Sequence, residues 1–202
     1  MKNEPTYDHS FWEQLWEKTL REHPDKVVQR PPNARLTAEV AKLPPGRALD
    51  AGCGHGAETL WLAAHGWQVT AVDFSESAVA KGRSMAEALG PDIAKRITWA
   101  LGDLATWDVP PESFDLVVCL FVHVAGSVEE MVQRMASGVA AGGTLFMMGH
   151  RSLDSTAGQV QVSVESAVAA LDPQRWDLTT EEHPRNVSGS GIDAVIRARR
   201  LS

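Results

Sequence analysis

The sequence predicts an α/β fold: a doubly wound, seven-stranded sheet, mostly parallel with an antiparallel last strand, preceded by N-terminal helices. Three observations predict it. Seven short β-type runs follow one another between residues 48 and 198, and the early ones are separated by stretches with helical apolar spacing. That alternation is the mark of βαβ units with both sheet faces covered. The first run passes through a turn with glycine at 52, 54 and 56 directly into a helix. Finally, 202 residues with 44% hydrophobic and 22% charged side chains suffice for one full core and are short for two. The chain is read as a single domain, with residues 1–45 as a helical cap and 46–202 as the core.

The elements follow in order. Ser10 and Glu13 have capping-box spacing, and behind them Trp12, Trp16 and Leu20, with Phe11 and Leu15, form an apolar stripe. His23-Pro24 closes this helix, since the residue before proline is pushed from α geometry. A second helix is expected over Ala34–Lys42, stopped by Pro44-Pro45-Gly46. The β-type runs are Ala48–Asp50, Gln68–Val72, Ile97–Leu101, Phe114–Leu120, Thr144–Met148, Trp176–Glu181 and Ala194–Ala198. Helices are expected over Glu58–His65, Glu76–Leu89 and Val128–Val139, the last opening on Ser127 and Glu130 and ending at Gly142-Gly143. A further helix is expected after Ser163. The last two runs have only a loop between them, which suits an antiparallel hairpin at one edge.

Composition excludes several function classes. A net charge of −7 argues against a surface that neutralises a phosphate backbone. Arg197, Arg199 and Arg200 alternate with apolar residues and read as the outward face of a last strand. No apolar run approaches the roughly 20 residues of a membrane helix, and the opening Met-Lys-Asn-Glu-Pro has no signal-peptide core. Cys53 and Cys119 make neither a disulfide framework nor a metal quartet. These features predict a cytoplasmic protein, monomer or homodimer, with no metal and no nucleic-acid or membrane partner.

The most informative segment is Ala48-Leu49-Asp50-Ala51-Gly52-Cys53-Gly54-His55-Gly56-Ala57. Glycine there allows positive φ and close approach of a ligand, at the sheet edge where ligands bind in doubly wound folds. Asp50 places a carboxylate at the mouth of the turn, unwelcome to a pyrophosphate but suited to an ammonium or sulfonium. Asp73 ends the second run, where an acid can accept both ribose hydroxyls. Asp103 follows the third run, placed to receive an adenine amino group. Asp50 and Asp103 can also be read as turn carboxylates capping backbone N–H groups.

Taken in order, Leu49–Gly56, Val72-Asp73-Phe74-Ser75, Gly102-Asp103-Leu104 and Phe114–Val118 resemble the class I S-adenosylmethionine-dependent methyltransferases. The likeness spans residues 46 to 148. It implies a Rossmann-like sheet of seven strands with the seventh antiparallel, S-adenosylmethionine as cofactor and S-adenosylhomocysteine as product. It implies further that Gly52, Cys53 and Gly54 contact the methionine part with Asp50 beside them, and that Asp73 binds the ribose. Phe74 would pack on the adenine, Asp103 and Leu104 would border the base, and Leu120 would lie near the methionine. The Trp-rich N-terminus is similar to the tellurite-resistance and thiopurine methyltransferase groups.

Methyl transfer chiefly requires that the acceptor be held in line with the S–CH₃ bond, a contribution reaching roughly 7–11 kcal/mol. A hydroxyl or ammonium acceptor also needs a base. His123, His150 and Arg151, after the fourth and fifth runs, are the catalytic candidates, with a loop histidine or solvated arginine as the plain alternative. Trp12 and Trp16 either face a small-molecule acceptor or pack on the domain. Arg30, before Pro31-Pro32, could meet the cofactor carboxylate. The rivals are a nicotinamide-dependent oxidoreductase, which lacks a Tyr-x-x-x-Lys pair here because Tyr7 is the sole tyrosine, and a non-catalytic S-adenosylmethionine-binding module.

Overall fold

The computed structural model describes residues 9–123, 127–152, 162–184 and 191–202, with only the backbone of Arg151 and Ser152. Its contacts gather into two compact units, Thr6–Thr106 and Trp107–Ser202. The elements are α1 (His9–Glu22), α2 (Pro24–Val28), α3 (Ala34–Val40), β1 (Arg47–Ala51), α4 (Ala57–Ala64), β2 (Gln68–Asp73), α5 (Glu76–Leu89), α6 (Pro91–Ala94), β3 (Ile97–Leu101), β4 (Phe114–Leu120), α7 (Val128–Ser137), β5 (Val139–Ser152), α8 (Val164–Ala170), β6 (Trp176–Pro184) and β7 (Gly191–Arg200). Seven strands hydrogen-bond in the order β3-β2-β1-β4-β5-β7-β6. The expected α/β sheet, mostly parallel with an antiparallel last strand, is therefore present.

In the first unit β1 pairs with β2 and β2 with β3, all parallel. Parallel strands carry helices on both faces, so they read as continuous apolar runs. Ala48, Leu49, Ala51, Ala71 and Val72 are accordingly fully buried. Leu60, Leu62 and Ala63 are buried on α4, with Trp67 just beyond it. Asn33 caps α3 by accepting from the Arg35 and Leu36 N–H groups, satisfying donors that a helix start leaves unpaired.

In the second unit β4 pairs parallel with β5, and β7 pairs antiparallel with both β5 and β6. β4 is buried over Leu116–Cys119, whereas β6 mostly alternates half-buried with exposed residues, the pattern of a strand with one face in solvent. Met131, Val132 and Met135 supply the buried stripe of α7. Arg200 donates to the Val139 carbonyl and pairs with Glu112 at 2.5 Å, so one arginine of the C-terminal cluster has a structural task.

Four expectations need correction. The Ser10–Glu13 capping box is absent: Ser10 lies inside α1, and Glu13 accepts instead from Ser77 on α5. Val139–Gly143 is strand rather than helix end, because α7 stops at Ser137 and β5 starts two residues later. β5, β6 and β7 each outrun their apolar cores, since hydrogen bonding between strands carries them past the last apolar residue. The helical turns α2 and α6, both opening on proline, were not anticipated. The helix after Ser163 forms, and Ser163 with Ser166 makes a capping box at its start.

Among the described residues no helix is long and apolar enough to cross a membrane, and none of their His, Cys, Asp and Glu side chains form a group able to hold a metal.

Candidate functional site

The glycine turn is built by three left-handed residues: Gly52 at φ 78°, Gly54 at 53° and Gly56 at 84°. Such angles cost little only for glycine. They fold the chain so that the N–H groups of Gly52 and Cys53 both donate to the Val72 carbonyl, at 2.8 and 3.0 Å. The bend thus hangs on the end of β2, and that brings Asp73 to it. Asp73 is 6% exposed, and its two oxygens accept from Gly54 N–H at 2.8 Å and Ser75 N–H at 2.9 Å. Burial nonetheless raises its pKa. Each oxygen retains a second acceptor site, so the carboxylate is held in place with capacity for two further donors.

Asp50 lies deeper, 3% exposed, with the Thr59 hydroxyl donating to it at 2.5 Å. Burial, with Glu58 and Asp73 close by, pushes its pKa up to about 7. Glu58 itself accepts from the Asn33 N–H at 3.0 Å. Burial and the same carboxylates hold the Cys53 thiol protonated, well above its ordinary range. The charge of Asp73 opposes ionisation of Asp50, so a cation brought beside them would favour the ionised form.

Glycine at 54 and 56 serves packing as well as turning. A Cβ on Gly54 would stand 2.7 Å from Cζ2 of Trp16, and one on Gly56 would stand 2.6 Å from Cη2 of Trp99. The missing Cβ atoms of Gly54 and Gly56 thus leave room for two indoles as well. Trp16 also lies 5.4 Å from the His55 ring. His55 is 3% exposed, and its Nε2 has no hydrogen-bond partner among the described residues. Burial and the nearby Arg30 charge depress its pKa to about 4, against a hydrogen bond to the Val27 backbone. It is a neutral imidazole.

Helix α1 reaches the turn through polar anchors. Glu13 accepts from the Ser77 N–H and hydroxyl, and His9 Nε2 lies 2.9 Å from the Phe74 carbonyl with the rings edge-on at 5.4 Å. Burial opposes ionisation of Glu13, but hydrogen bonds from Ser75 and Ser77 outweigh it and lower the pKa. Trp12 is half-buried and meets Phe11 edge-on. Phe74 is half-buried, Leu104 is buried, and Asp103 is exposed with one oxygen accepting from Ala105 N–H at 2.9 Å. The turn-capping reading of Asp103 therefore holds for that oxygen. Gly102 N–H donates to the Asp73 carbonyl at 3.0 Å, tying the ends of β2 and β3 together.

In the second unit Leu120 ends β4 half-buried, and His123 follows three residues later, also half-buried. Phe121 adopts a left-handed φ of 57° and donates its N–H to Met148 at 2.8 Å. Its ring stacks on His150 at 4.1 Å and 22°. His150 Nδ1 lies 2.6 Å from Asp193 Oδ1. The side chain of Arg151 lies outside the described residues.

Sequence reading missed Asp193, Phe121, Thr59 and Ser77. Asp193 could have been found from the register of the terminal hairpin, which pairs it with His150. The other three carried no spacing signal.

Residues 48–143 match the family model described as a methyltransferase domain. The chain is 33% identical over 148 residues to phosphatidylethanolamine N-methyltransferase of Cereibacter sphaeroides, covering 73% of this chain and 69% of that one. It is 35% identical over 186 residues to the ubiquinone biosynthesis O-methyltransferase of Xanthomonas campestris, covering 83% and 74%. The N-methyltransferase NodS of Bradyrhizobium japonicum, solved with S-adenosylhomocysteine, superposes with a TM-score of 0.71 at 19% identity, covering 94% of this chain and 98% of that one. The glycine turn, the anchored acid beside it, the strand order and these likenesses converge: the chain belongs to the class I S-adenosylmethionine-dependent methyltransferases.

Proposed function

We propose that this methyltransferase acts on a small molecule through an amine nitrogen or a hydroxyl oxygen. The anchored Asp73 carboxylate carries the cofactor half of the reading, since it is buried, rigid and still able to accept two donors. In this reading Asp73 takes the ribose hydroxyls, Phe74 and Leu104 flank the adenine, and the second oxygen of Asp103 takes its amino group. Gly52, Cys53 and Gly54 present backbone to the methionine part, and Asp50 favours its ammonium. Trp16 closes over Gly54 and Arg30 faces the carboxylate end. When bound, S-adenosylmethionine supplies a methyl group on a cationic sulfur. The protein's remaining work is orientation and, for N–H or O–H acceptors, removal of a proton, for which His123 and His150 are the candidates.

The acceptor class draws support from the two relatives above, one named for an N-methylation and the other for an O-methylation. Transfer of labelled methyl to a panel of amines, phenols, thiols and phospholipid headgroups tests it. Label is expected in a nitrogen or oxygen acceptor. Tight cofactor binding with no label transferred to any acceptor would make the chain a binding module instead.

A proton balance follows from Asp50. Its raised pKa near 7 leaves it about half protonated at pH 7. A cationic amino acid beside it favours the ionised form, so binding of S-adenosylhomocysteine releases up to about half a proton at that pH. Calorimetry in two buffers of different ionisation enthalpy should show this release, and affinity should rise between pH 6 and 8. Asp50→Asn abolishes both.

Without ligand the two buried groups act oppositely on stability. Asp50 is protonated more readily folded than unfolded, so its contribution is full below about pH 4 and is lost as pH rises through about 7. His55, with its pKa depressed to about 4, contributes fully above its ordinary value near 6.5 and loses that as pH falls. Urea melts of His55→Gln across pH 4 to 7 should therefore show a weaker loss of stability toward acid than the parent. An unchanged acid slope would place His55 in solvent.

A further inference from the structure

We propose that Nε2 of His55 accepts a hydrogen bond from the ammonium of the cofactor's methionine part, and that this contact selects ligands carrying the amino group. The inference rests on the reading that the methionine part lies along the glycine turn. Every residue involved belongs to the Thr6–Thr106 unit. His55 stands between two left-handed glycines, Gly54 at φ 53° and Gly56 at 84°, and is 3% exposed. Its Nε2 is closed off from solvent and meets no hydrogen-bond partner among the described residues. A buried polar atom left unpaired costs free energy, so each one in a folded protein needs a physical reason. A donor brought by the ligand supplies one here.

The ring's own chemistry decides what that donor can be. A neutral imidazole has one N–H and one bare nitrogen. Burial and the charges of Arg30 and Lys81 keep the His55 ring neutral, while the bond to the Val27 backbone acts to raise its pKa. Only a carbonyl accepting the ring N–H has that effect, because it stabilises the imidazolium. With Nε2 unpartnered, the N–H in that bond is assigned to Nδ1. Nε2 keeps the lone pair, so it can accept from an ammonium. A ligand carboxylate would meet it lone pair to lone pair and gain nothing.

Trp16 relates this atom to the face of the turn. Its ring lies 5.4 Å from the His55 ring at 53°, and a Cβ on Gly54 would stand 2.7 Å from its Cζ2. The indole thus rests on the bare face of Gly54 and borders the imidazole. A chain of ligand atoms following Gly54 borders the same imidazole. No residue of α1 is buried, so little apolar burial holds the indole in place, and it can give way to an entering ligand.

A second orphan has the same character. Glu13, one turn before Trp16 on α1, accepts from Ser77 through Oε1, and its Oε2 is buried with no hydrogen-bond partner among the described residues. After burial, the charge of Glu13 also raises the Asp73 pKa, so the two carboxylates feel one another across the turn. Spare acceptors at His55, Glu13 and Asp73 match a ligand that brings donors, an ammonium and a pair of ribose hydroxyls. With the hydroxyls on Asp73, the ammonium is the donor left for His55.

Titration calorimetry with three ligands tests the proposal: S-adenosylhomocysteine, its des-amino analogue, which keeps the carboxylate, and its decarboxylated analogue, which keeps the amine. His55→Leu should bind S-adenosylhomocysteine and the decarboxylated analogue about 10-fold or more weakly than the parent, the scale of a hydrogen bond to a charged group. Its affinity for the des-amino analogue should stay within about twofold. His55→Gln keeps an acceptor oxygen and should recover part of the loss. A merely structural role would weaken all three ligands alike. Nitrogen-detected NMR of the unmodified chain decides the matter even if His55→Leu fails to fold. It should show a bare Nε2 in the free protein, with a resonance that moves upfield on adding S-adenosylhomocysteine and stays put with the des-amino analogue. Equal losses for the three ligands, a protonated Nε2, or an Nε2 unmoved by bound S-adenosylhomocysteine would overturn the proposal while leaving the cofactor reading intact. Failure of the parent to bind S-adenosylhomocysteine at all would strike both.

Discussion

Asp73→Ala is expected to weaken binding of S-adenosylhomocysteine by about 1–3 kcal/mol, the scale of hydrogen bonds to a charged group. Two losses combine in this variant. The cofactor loses its ribose acceptor, and the N–H groups of Gly54 and Ser75 lose the oxygens that hold them. An unpaired buried N–H costs about 1–3 kcal/mol, so the variant should also melt earlier. Asp73→Asn separates the effects, because its single amide oxygen can still hold one of the two N–H groups. Affinity should remain poor in the asparagine variant while part of the stability returns. Titration calorimetry and thermal melting on the same samples check both. An affinity within twofold of the parent in Asp73→Ala would remove Asp73 from the ribose.

Gly82→Val is expected to cost about 3 kcal/mol of stability, at the upper end of overpacking effects. Gly82 lies within α5 and is buried. A Cβ there would stand 2.5 Å from Cη2 of Trp99 and 2.9 Å from the His55 carbonyl. The first neighbour is a ring already wedged against Gly56, and the second is backbone of the glycine turn, so neither yields cheaply. For a chain of this size the loss corresponds to a fall in melting temperature of roughly 6–12 °C. Because the second collision falls on the turn itself, cofactor affinity should drop as well. Normal melting of Gly82→Val would show that Trp99 is not fixed beneath the turn.

Much of the architecture was legible because its signals are local. A parallel strand buried on both faces reads as an apolar run, as β4 does over Leu116–Leu120, and the bounds expected for β3 and β4 are those observed. The glycine turn was legible for the same reason, since three left-handed residues in five demand glycine. Signals that depend on a distant partner were not legible. Ser10 and Glu13 have capping spacing, yet the carboxylate is claimed by Ser77, 64 residues away. That Trp16 and Trp99 pack against Gly54 and Gly56 emerges only from the placement of those distant indoles. Asp103 read as an adenine contact, and one of its oxygens is engaged by its own turn. His150 was singled out from its place after a strand, but its partner Asp193 lies 43 positions on and emerges only with the hairpin register.

A thermal-shift titration of the unmodified chain bears most directly on the carboxylate cradle at the glycine turn. S-Adenosylhomocysteine at about 100 times its dissociation constant should stabilise the fold by about 2.7 kcal/mol, seen as a rise of roughly 5–10 °C in melting temperature, whereas NADH at equal concentration should leave it unmoved. A rise with NADH, or none with S-adenosylhomocysteine, would contradict the account.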